Sequence, residues 1–308
     1  MTADGLVDRA VDAVLDRAVL AAVGRAGAPG RIRFTERQLY YETCRVLRPV
    51  RAVPRRVPLT PAPPVRYERF EEALRRQQAR GTLPGLLPPV PAGARRSAPP
   101  SAEPDLHDYG LPRLLVCESR SVARMLLAND VHLEAACPVF AADDLPLDPR
   151  MTAGLGRVED ATVHVLHDAS VAGIALTARV RAALRDTAPG ARVASMGLVP
   201  RHAVALHLTS RHEAGPASGQ GDMADRDGRL RSVLPSALEA RELEWLARGR
   251  SAEVESVPPA RLLRTVLRLV RGPRTAGPSV WTGLRELRTT GFMTWPAGPA
   301  RRHEDTRR

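Results

Sequence analysis

Residues 162–176 read Thr-Val-His-Val-Leu-His-Asp-Ala-Ser-Val-Ala-Gly-Ile-Ala-Leu, and this stretch decides the fold. Its first part, 162–167, is a short run of β-branched and apolar residues that predicts a buried strand. From Val171 onward the apolar residues follow helical spacing, and Gly173 permits a tight turn between the two elements. Asp168 ends the strand, where open α/β sheets place their ligands. The alternative is that Asp168 only caps the helix.

A second strand-like run lies upstream and also ends on an acid. Arg113-Leu-Leu-Val-Cys is followed by Glu118, and a helical pattern begins soon after. Parallel strands present their carboxyl ends at one edge of a sheet, so we expect Glu118 and Asp168 to lie together. Two carboxylates provide the hard oxygen ligands that Mg²⁺ or Mn²⁺ prefers. The sequence therefore predicts a metal site at Glu118 and Asp168.

The chain is strongly basic, with 46 basic against 34 acidic residues, and every basic residue is Arg. Residues 31–80 hold thirteen Arg and five acids, a net charge of +8. Residues 111–207 hold ten of each, a net charge of zero. Because the excess is concentrated in one segment, it predicts a surface that meets a polyphosphate, here double-stranded DNA.

Cysteine usage and hydropathy favour a cytoplasmic protein. Cys44, Cys117 and Cys137 stand in apolar contexts without CxxC spacing, which argues against zinc sites and disulfides and for buried thiols in a reducing compartment. No run approaches the roughly 20 apolar residues of a membrane span. The N-terminal region carries acids where a signal peptide would be basic.

We expect a mixed α/β protein with two domains. Residues 1–88 predict a mostly helical, winged-helix-like domain that binds DNA, with a capping box at Thr35–Gln38 opening one of its helices. Residues 89–108 are rich in Pro, Ala and Ser and predict a linker. Residues 109–275 predict an α/β domain with a central, largely parallel sheet, and 276–308 a C-terminal segment with a disordered tail. The four expected strands span 113–117, 136–142, 162–167 and 191–196.

Four elements, in order along the chain, resemble those of the topoisomerase VI A subunit and the related meiotic double-strand-break protein. Arg37-Gln-Leu-Tyr-Tyr41 is similar to that family's Arg-x-x-Tyr-Tyr signature. Glu118 and the Asp168 stretch resemble the strand-end glutamate and the Asp-x-Asp-x-x-Gly element of its Toprim domain, a metal-binding module. Residues 195–200 (Ser-Met-Gly-Leu-Val-Pro) resemble its Leu-Gly-Leu-x-Pro strand end. Residues 250–256 (Arg-Ser-Ala-Glu-Val-Glu-Ser) resemble its Lys-x-Glu-Ile-Glu-Ala element.

The resemblance implies a winged-helix domain followed by a Toprim domain, in a chain that breaks DNA strands. In that family the second tyrosine of the pair attacks a phosphodiester and forms a 5′-phosphotyrosyl bond, which makes Tyr41 the candidate nucleophile. Arg37, one turn earlier on the same helix face, would favour the phenolate or hold the phosphate. Mg²⁺ at Glu118 and Asp168 would neutralise charge on the phosphate oxygens. A homodimer, with the tyrosine of one subunit facing the metal of the other, and a separate ATPase subunit are also implied.

Two departures from the family's pattern leave the activity open. Ser170 stands where the family has the second aspartate, so we expect a weak metal site. The family's Gly-Lys-Gly-x-Pro loop appears as Ala142-Asp-Asp-Leu-Pro146, in which Asp143 and Asp144 either replace the missing carboxylate or form a solvated pair. Three functions remain: a strand-breaking enzyme acting through Tyr41, a non-catalytic DNA-binding or defence component with a degenerate site, and a Toprim nuclease that uses water.

Overall fold

The computed structural model describes residues 3–48, 59–89, 110–212 and 238–272, with side chains from residue 8 onward. The expected linker, beyond its first residue, and the expected C-terminal segment lie outside these ranges. The chain divides into two compact units, Met1–Val270 and Arg271–Arg308. The elements below belong to the first unit, up to Val270.

Three helices make up the N-terminal part, which confirms that it is mostly helical. They are α1 (Ala3–Ala26), α2 (Glu36–Leu47) and α3 (Tyr67–Arg80). The predicted capping box is present at the start of α2, where the Thr35 hydroxyl accepts from the Gln38 N–H and the Gln38 side chain accepts from the Thr35 N–H, both at 3.0 Å. The helices pack around Phe34, Tyr41 and Phe70, which are fully buried. The winged-helix assignment stays a prediction.

The following part of the chain confirms the expected α/β class with a parallel sheet. Four strands, all parallel, lie in the order β2-β1-β3-β4. The strands are β1 (Arg113–Cys117), β2 (Val139–Ala141), β3 (Thr162–Leu166) and β4 (Arg192–Ser195), and a short antiparallel pair is formed by β5 (Arg211–His212) and β6 (Arg250–Ser251). The helices are α4 (Arg120–Ala128), α5 (Val131–Glu134), α6 (Pro149–Gly156), α7 (Val171–Leu184), α8 (Pro200–Ala205), α9 (Ala240–Ala247) and α10 (Pro259–Arg271).

Three of the four predicted strands are shorter than expected, two of them by one or two residues and the third by four. The run 136–142 forms a strand only over Val139–Ala141. Its beginning is not extended, because Ala136 has a positive φ of 46° at the turn that follows α5.

Both faces of the sheet are covered, as parallel sheets require. On β1, Leu115 and Cys117 point into the cluster built around α4 and α10, while Leu114 and Val116 point into the cluster with α6 and α7. Since side chains alternate along a strand, β1 is buried on both sides and holds the centre of the α/β part.

All three cysteines are buried free thiols. Within the ranges that the structure describes, no helix has the length and apolar character needed to cross a membrane.

Candidate functional site

The two acids predicted to form a metal site lie together at one edge of the sheet. β1 and β3 are parallel neighbours, with Cys117 paired to Leu166, so the residues after each strand leave the sheet side by side. The backbone N–H of Asp168 donates to Glu118 Oε2 at 2.8 Å. Because β1 lies between β2 and β3, this edge is where the chain order changes direction, the usual ligand position in open α/β sheets.

Gly173 makes room for this pair of acids. A Cβ at this position would lie 2.5 Å from Glu118 Oε2 and 2.6 Å from the Asp168 carbonyl oxygen. Gly173 belongs to the first turn of α7, so the expectation that it provides a tight turn is wrong. The glycine is needed for close approach, because any side chain would displace both acids.

The residue that caps α7 is Ser170, and the alternative that Asp168 is only a helix cap is wrong. The Ser170 hydroxyl accepts the Gly173 N–H at 2.9 Å, in the geometry of a helix N-cap. The Asp168 side chain accepts instead from the Val254 N–H, through Oδ1 at 2.7 Å. Asp168 is therefore free of the capping role, whereas the Ser170 hydroxyl is committed to it.

The segment that holds Asp168 comes from the far end of the chain. We call residues 252–256 (Ala-Glu-Val-Glu-Ser) the acidic connector. Ala252 and Ala169 exchange two backbone hydrogen bonds, at 2.9 and 3.1 Å, and the Val254 N–H then fixes one oxygen of Asp168. The acidic connector thus fixes one oxygen of the Asp168 carboxylate through its backbone, without using a side chain.

The electrostatics of this edge suit a cation. Burial is the main reason that the pKa of Asp168 lies well above its ordinary value, and the Glu118 carboxylate is the next, with smaller effects from Glu253 and Glu255. Among the described residues, no group of three or more His, Cys, Asp or Glu side chains is arranged to hold a metal ion. Glu118 and Asp168 offer two carboxylates, and Mg²⁺ commonly binds one or two carboxylates with waters and phosphate oxygens completing its shell. The pair fits a weak Mg²⁺ site of that kind.

Arg37 forms an ion pair that the sequence did not reveal. Its Nε and Nη2 donate to the two carboxylate oxygens of Glu253, both at 2.8 Å, and its guanidinium lies 4.5 Å from the centroid of the Tyr67 ring. Arg211 donates to the same carboxylate at 2.7 Å. Burial acts to raise the pKa of Glu253, but the hydrogen bonds and charges of the two arginines outweigh it, and the pKa is lowered.

Tyr41, the candidate nucleophile, lies in the core. Its side chain is 0 % exposed, and its hydroxyl has no hydrogen-bond partner among the described residues. Burial, and then the Glu253 carboxylate, raise the pKa of Tyr41 well above its ordinary value, although Arg37 opposes the shift. A buried phenol of raised pKa is a poor nucleophile. In this conformation Tyr41 is not presented to a DNA phosphate.

Removing the hydroxyl of Tyr40 or of Tyr41 should change the stability of the protein in opposite directions. We expect Tyr41→Phe to raise the free energy of unfolding by about 1 kcal/mol, because its buried hydroxyl lies close enough to interact with the Glu253 carboxylate but makes no hydrogen bond of normal geometry. Tyr40→Phe should lower it by about 1 kcal/mol, because Tyr40 donates to the Val65 carbonyl at 2.9 Å. Urea denaturation of both variants measures the difference. Equal effects would show that Tyr41 has a partner in solution.

Glu255 is a second functional candidate that sequence reasoning missed. It is 7 % exposed, and its carboxylate accepts from the Ser121 hydroxyl at 2.5 Å and from the Thr35 hydroxyl at 3.3 Å. Burial raises its pKa to about 7. Glu253 and Glu255 both belong to the acidic connector. The sequence placed them in the run that resembles the family's Lys-x-Glu-Ile-Glu-Ala element, but that resemblance assigned neither of them a role.

The loop that departs from the family's Gly-Lys-Gly-x-Pro element has a structural role. Asp144 accepts from Arg120 at 2.8 Å and from the Ala141 N–H at 2.9 Å. Asp143 is 73 % exposed and lies 3.7 Å from Arg120. The Asp144 carboxylate is thus occupied by Arg120, which argues against its use as a replacement metal ligand.

No family model, no curated protein and no solved structure matches the chain. The likeness to the topoisomerase VI A subunit therefore stays a prediction. What the contacts establish is that Glu118 lies beside Asp168 and Arg37 beside Glu253. The pKa of Tyr41 and that of Asp168 are both raised by the Glu253 carboxylate, so these groups share one electrostatic environment.

Proposed function

We propose that this protein binds double-stranded DNA and cleaves its phosphodiester bonds with Mg²⁺ or Mn²⁺, using water as the nucleophile. The observation that carries the proposal is the Glu118–Asp168 pair at the edge of a parallel sheet where the strand order changes direction. The net charge of +8 over residues 31–80 supports a polyphosphate substrate. The resemblance to a Toprim domain supports DNA in particular.

The chain's own residues prepare the acids for a metal. The Val254 N–H holds Oδ1 of Asp168, which leaves Oδ2 for a ligand, and the lack of a side chain at Gly173 makes room for the Glu118 carboxylate. When bound, Mg²⁺ would supply positive charge for the phosphate oxygens and a more acidic water. Incubating plasmid DNA with the protein and Mg²⁺, with Glu118→Gln as the inactive control, tests the activity. A wild type that leaves the plasmid intact favours the alternative of a non-catalytic DNA-binding or defence component.

Attack by Tyr41 is the second candidate, and one observation favours it. A buried hydroxyl without a hydrogen-bond partner is rare in native proteins and often marks a functional group. This mechanism requires α2 to move so that Tyr41 reaches DNA. We propose, from the resemblance alone, that the chain forms a homodimer and that strand passage would need a separate ATPase subunit.

The metal site can be tested by thermal unfolding with increasing Mg²⁺ or Mn²⁺. Asp is as good an N-cap as Ser, so Ser170→Asp should keep α7 intact while it adds a carboxylate beside Asp168. We expect it to increase the stabilisation by metal, since a tenfold gain in affinity adds about 1.4 kcal/mol at high metal concentration. Glu118→Gln should remove the stabilisation.

Ser170→Ala is the matched control. It removes the cap, at a cost of about 1 kcal/mol, without changing the charge at the site. It should melt at a lower temperature but respond to metal as the wild type does. If all four proteins respond alike, Glu118 and Asp168 do not bind a metal.

A further inference from the structure

A cavity of about 210 Å³ lies between α2, α3 and α4, outside the Glu118–Asp168 pair. Arg37 and Arg124 line it together with the hydroxyl-bearing residues Thr35 and Ser121. Ser121 lies three residues after Glu118, so the cavity is within about 10 Å of the metal pair along the chain.

Arg124 keeps unused hydrogen-bond donors at this cavity, whereas Arg37 contributes its charge. The Arg37 guanidinium is held by Glu253 through Nε and Nη2 and lies against Tyr67. Arg124 donates from Nη1 to the Pro88 carbonyl at 3.1 Å, and its other two nitrogens have no partner within the described ranges. The planar guanidinium group matches the oxygens of a phosphate and cannot lose its charge.

The starts of two helices add to the positive charge of the arginines. α2 and α4 both start beside the cavity, and helix N-termini carry partial positive charge. The hydroxyls of Thr35 and Ser121 are already engaged by Glu255, so the arginines are the donors for a ligand. The acid that lines the cavity itself, Glu36, is engaged by the Tyr67 hydroxyl at 2.8 Å.

We propose that this cavity binds a phosphate of the DNA backbone, next to the cleaved bond, and that Arg124 contacts it. The inference rests on the proposed function and adds to it the path of the DNA. The cleaved DNA strand would run from the Glu118–Asp168 pair over the start of α4. A single phosphate with its sugar is small enough for the cavity volume, whereas a folded partner segment is not.

The experiment measures binding of the full chain to duplex DNA, without divalent cations, as a function of salt. We expect a slope of log K against log salt of about −3 or steeper for the wild type, from several phosphate contacts. Arg124→Gln should bind roughly tenfold more weakly at low salt, with a slope shallower by about 0.9. Arg124→Lys should restore the slope, because it keeps the charge.

The matched control is Arg179→Gln, which removes the same charge from the exposed face of α7 and should leave affinity and slope unchanged. A wild-type slope in Arg124→Gln would overturn the proposal. The proposal would also be overturned if Arg124→Gln lost the binding of inorganic phosphate but bound DNA as the wild type does. The cavity would then be a site for a free anion and not for the DNA backbone. If the Arg124 effect appears but no variant, including wild type, cleaves DNA, the proposed activity fails and this inference stands.

Discussion

Asp168→Asn is expected to lower the rate of Mg²⁺-dependent DNA cleavage by at least about a hundredfold, since it removes a charged ligand from a site with only two. The variant should still fold. The Asn oxygen can accept a hydrogen bond from the Val254 N–H as Asp168 does. The raised pKa of Asp168 also means that its negative charge destabilises the folded state. Stability at pH 8 should therefore be equal to that of the wild type or higher. Cleavage rates on supercoiled plasmid, with unfolding curves for both proteins, provide the measurement.

Tyr41→Phe is the control that separates the two nucleophiles. If water attacks, this variant should cleave at the wild-type rate, and detergent-trapped DNA should carry no covalently bound protein. A covalent adduct in the wild type that Tyr41→Phe abolishes would instead establish tyrosyl attack. Cleavage by Asp168→Asn at the wild-type rate would contradict both mechanisms, because each requires the metal.

Stability should fall as the pH rises from about 5 to 8, and Glu255 should be a main cause. Its pKa is raised from 4.5 to about 7 in the folded state, so over this range the unfolded chain binds fewer protons than the folded one. The sign follows from that difference, since a state that holds more protons loses stability as the pH rises. For a carboxyl that is 7 % exposed, the full effect is up to about 3 kcal/mol.

Glu255→Gln should flatten this pH dependence, because an amide does not titrate. Asp168 contributes in the same direction, so part of the slope will remain. Glu253, whose pKa is lowered, loses its stabilising effect only at more acidic pH and does not interfere. Glu244→Gln is the matched control, since Glu244 is exposed and pairs with Arg248 on the surface of α9. Urea denaturation at pH 5.5 and 8 measures all three proteins, and equal slopes for wild type and Glu255→Gln would contradict the prediction.

The sheet and its two acids could be predicted from the sequence because they follow local rules. The runs before Glu118 and Asp168 are short, apolar and β-branched, and parallel strands bring their carboxyl ends to one edge. The residue that caps α7 was harder to predict from the sequence. Asp168 and Ser170 are both good capping residues, and only the backbone geometry decides between them.

The partners of Arg37 could not be predicted, because Glu253 lies 216 residues away and no periodicity links the two. The burial of Tyr41 could not be predicted either, because it depends on how distant parts of the chain pack around α2. Adjacent residues on a helix point in different directions, so a Tyr-Tyr pair is expected to expose one ring. Here α2 packs against α1 and against the acidic connector, while Tyr40 contacts the rings of Tyr67 and Phe70, and both Tyr40 and Tyr41 are covered.

The acidic connector also determines when, during synthesis of the chain, Arg37, Arg45 and Asp168 can reach their partners. Arg37 and Arg45 leave the ribosome early, but their partners Glu253 and the Ser256 carbonyl are 216 and 211 residues later. The N–H that orients Asp168 belongs to Val254 and is equally late. A nascent chain shorter than about 250 residues would thus carry the sheet with Glu118 and Asp168 but lack the acidic connector that holds Asp168. Under the proposed function, we expect such incomplete chains to bind DNA through their arginines without cleaving it.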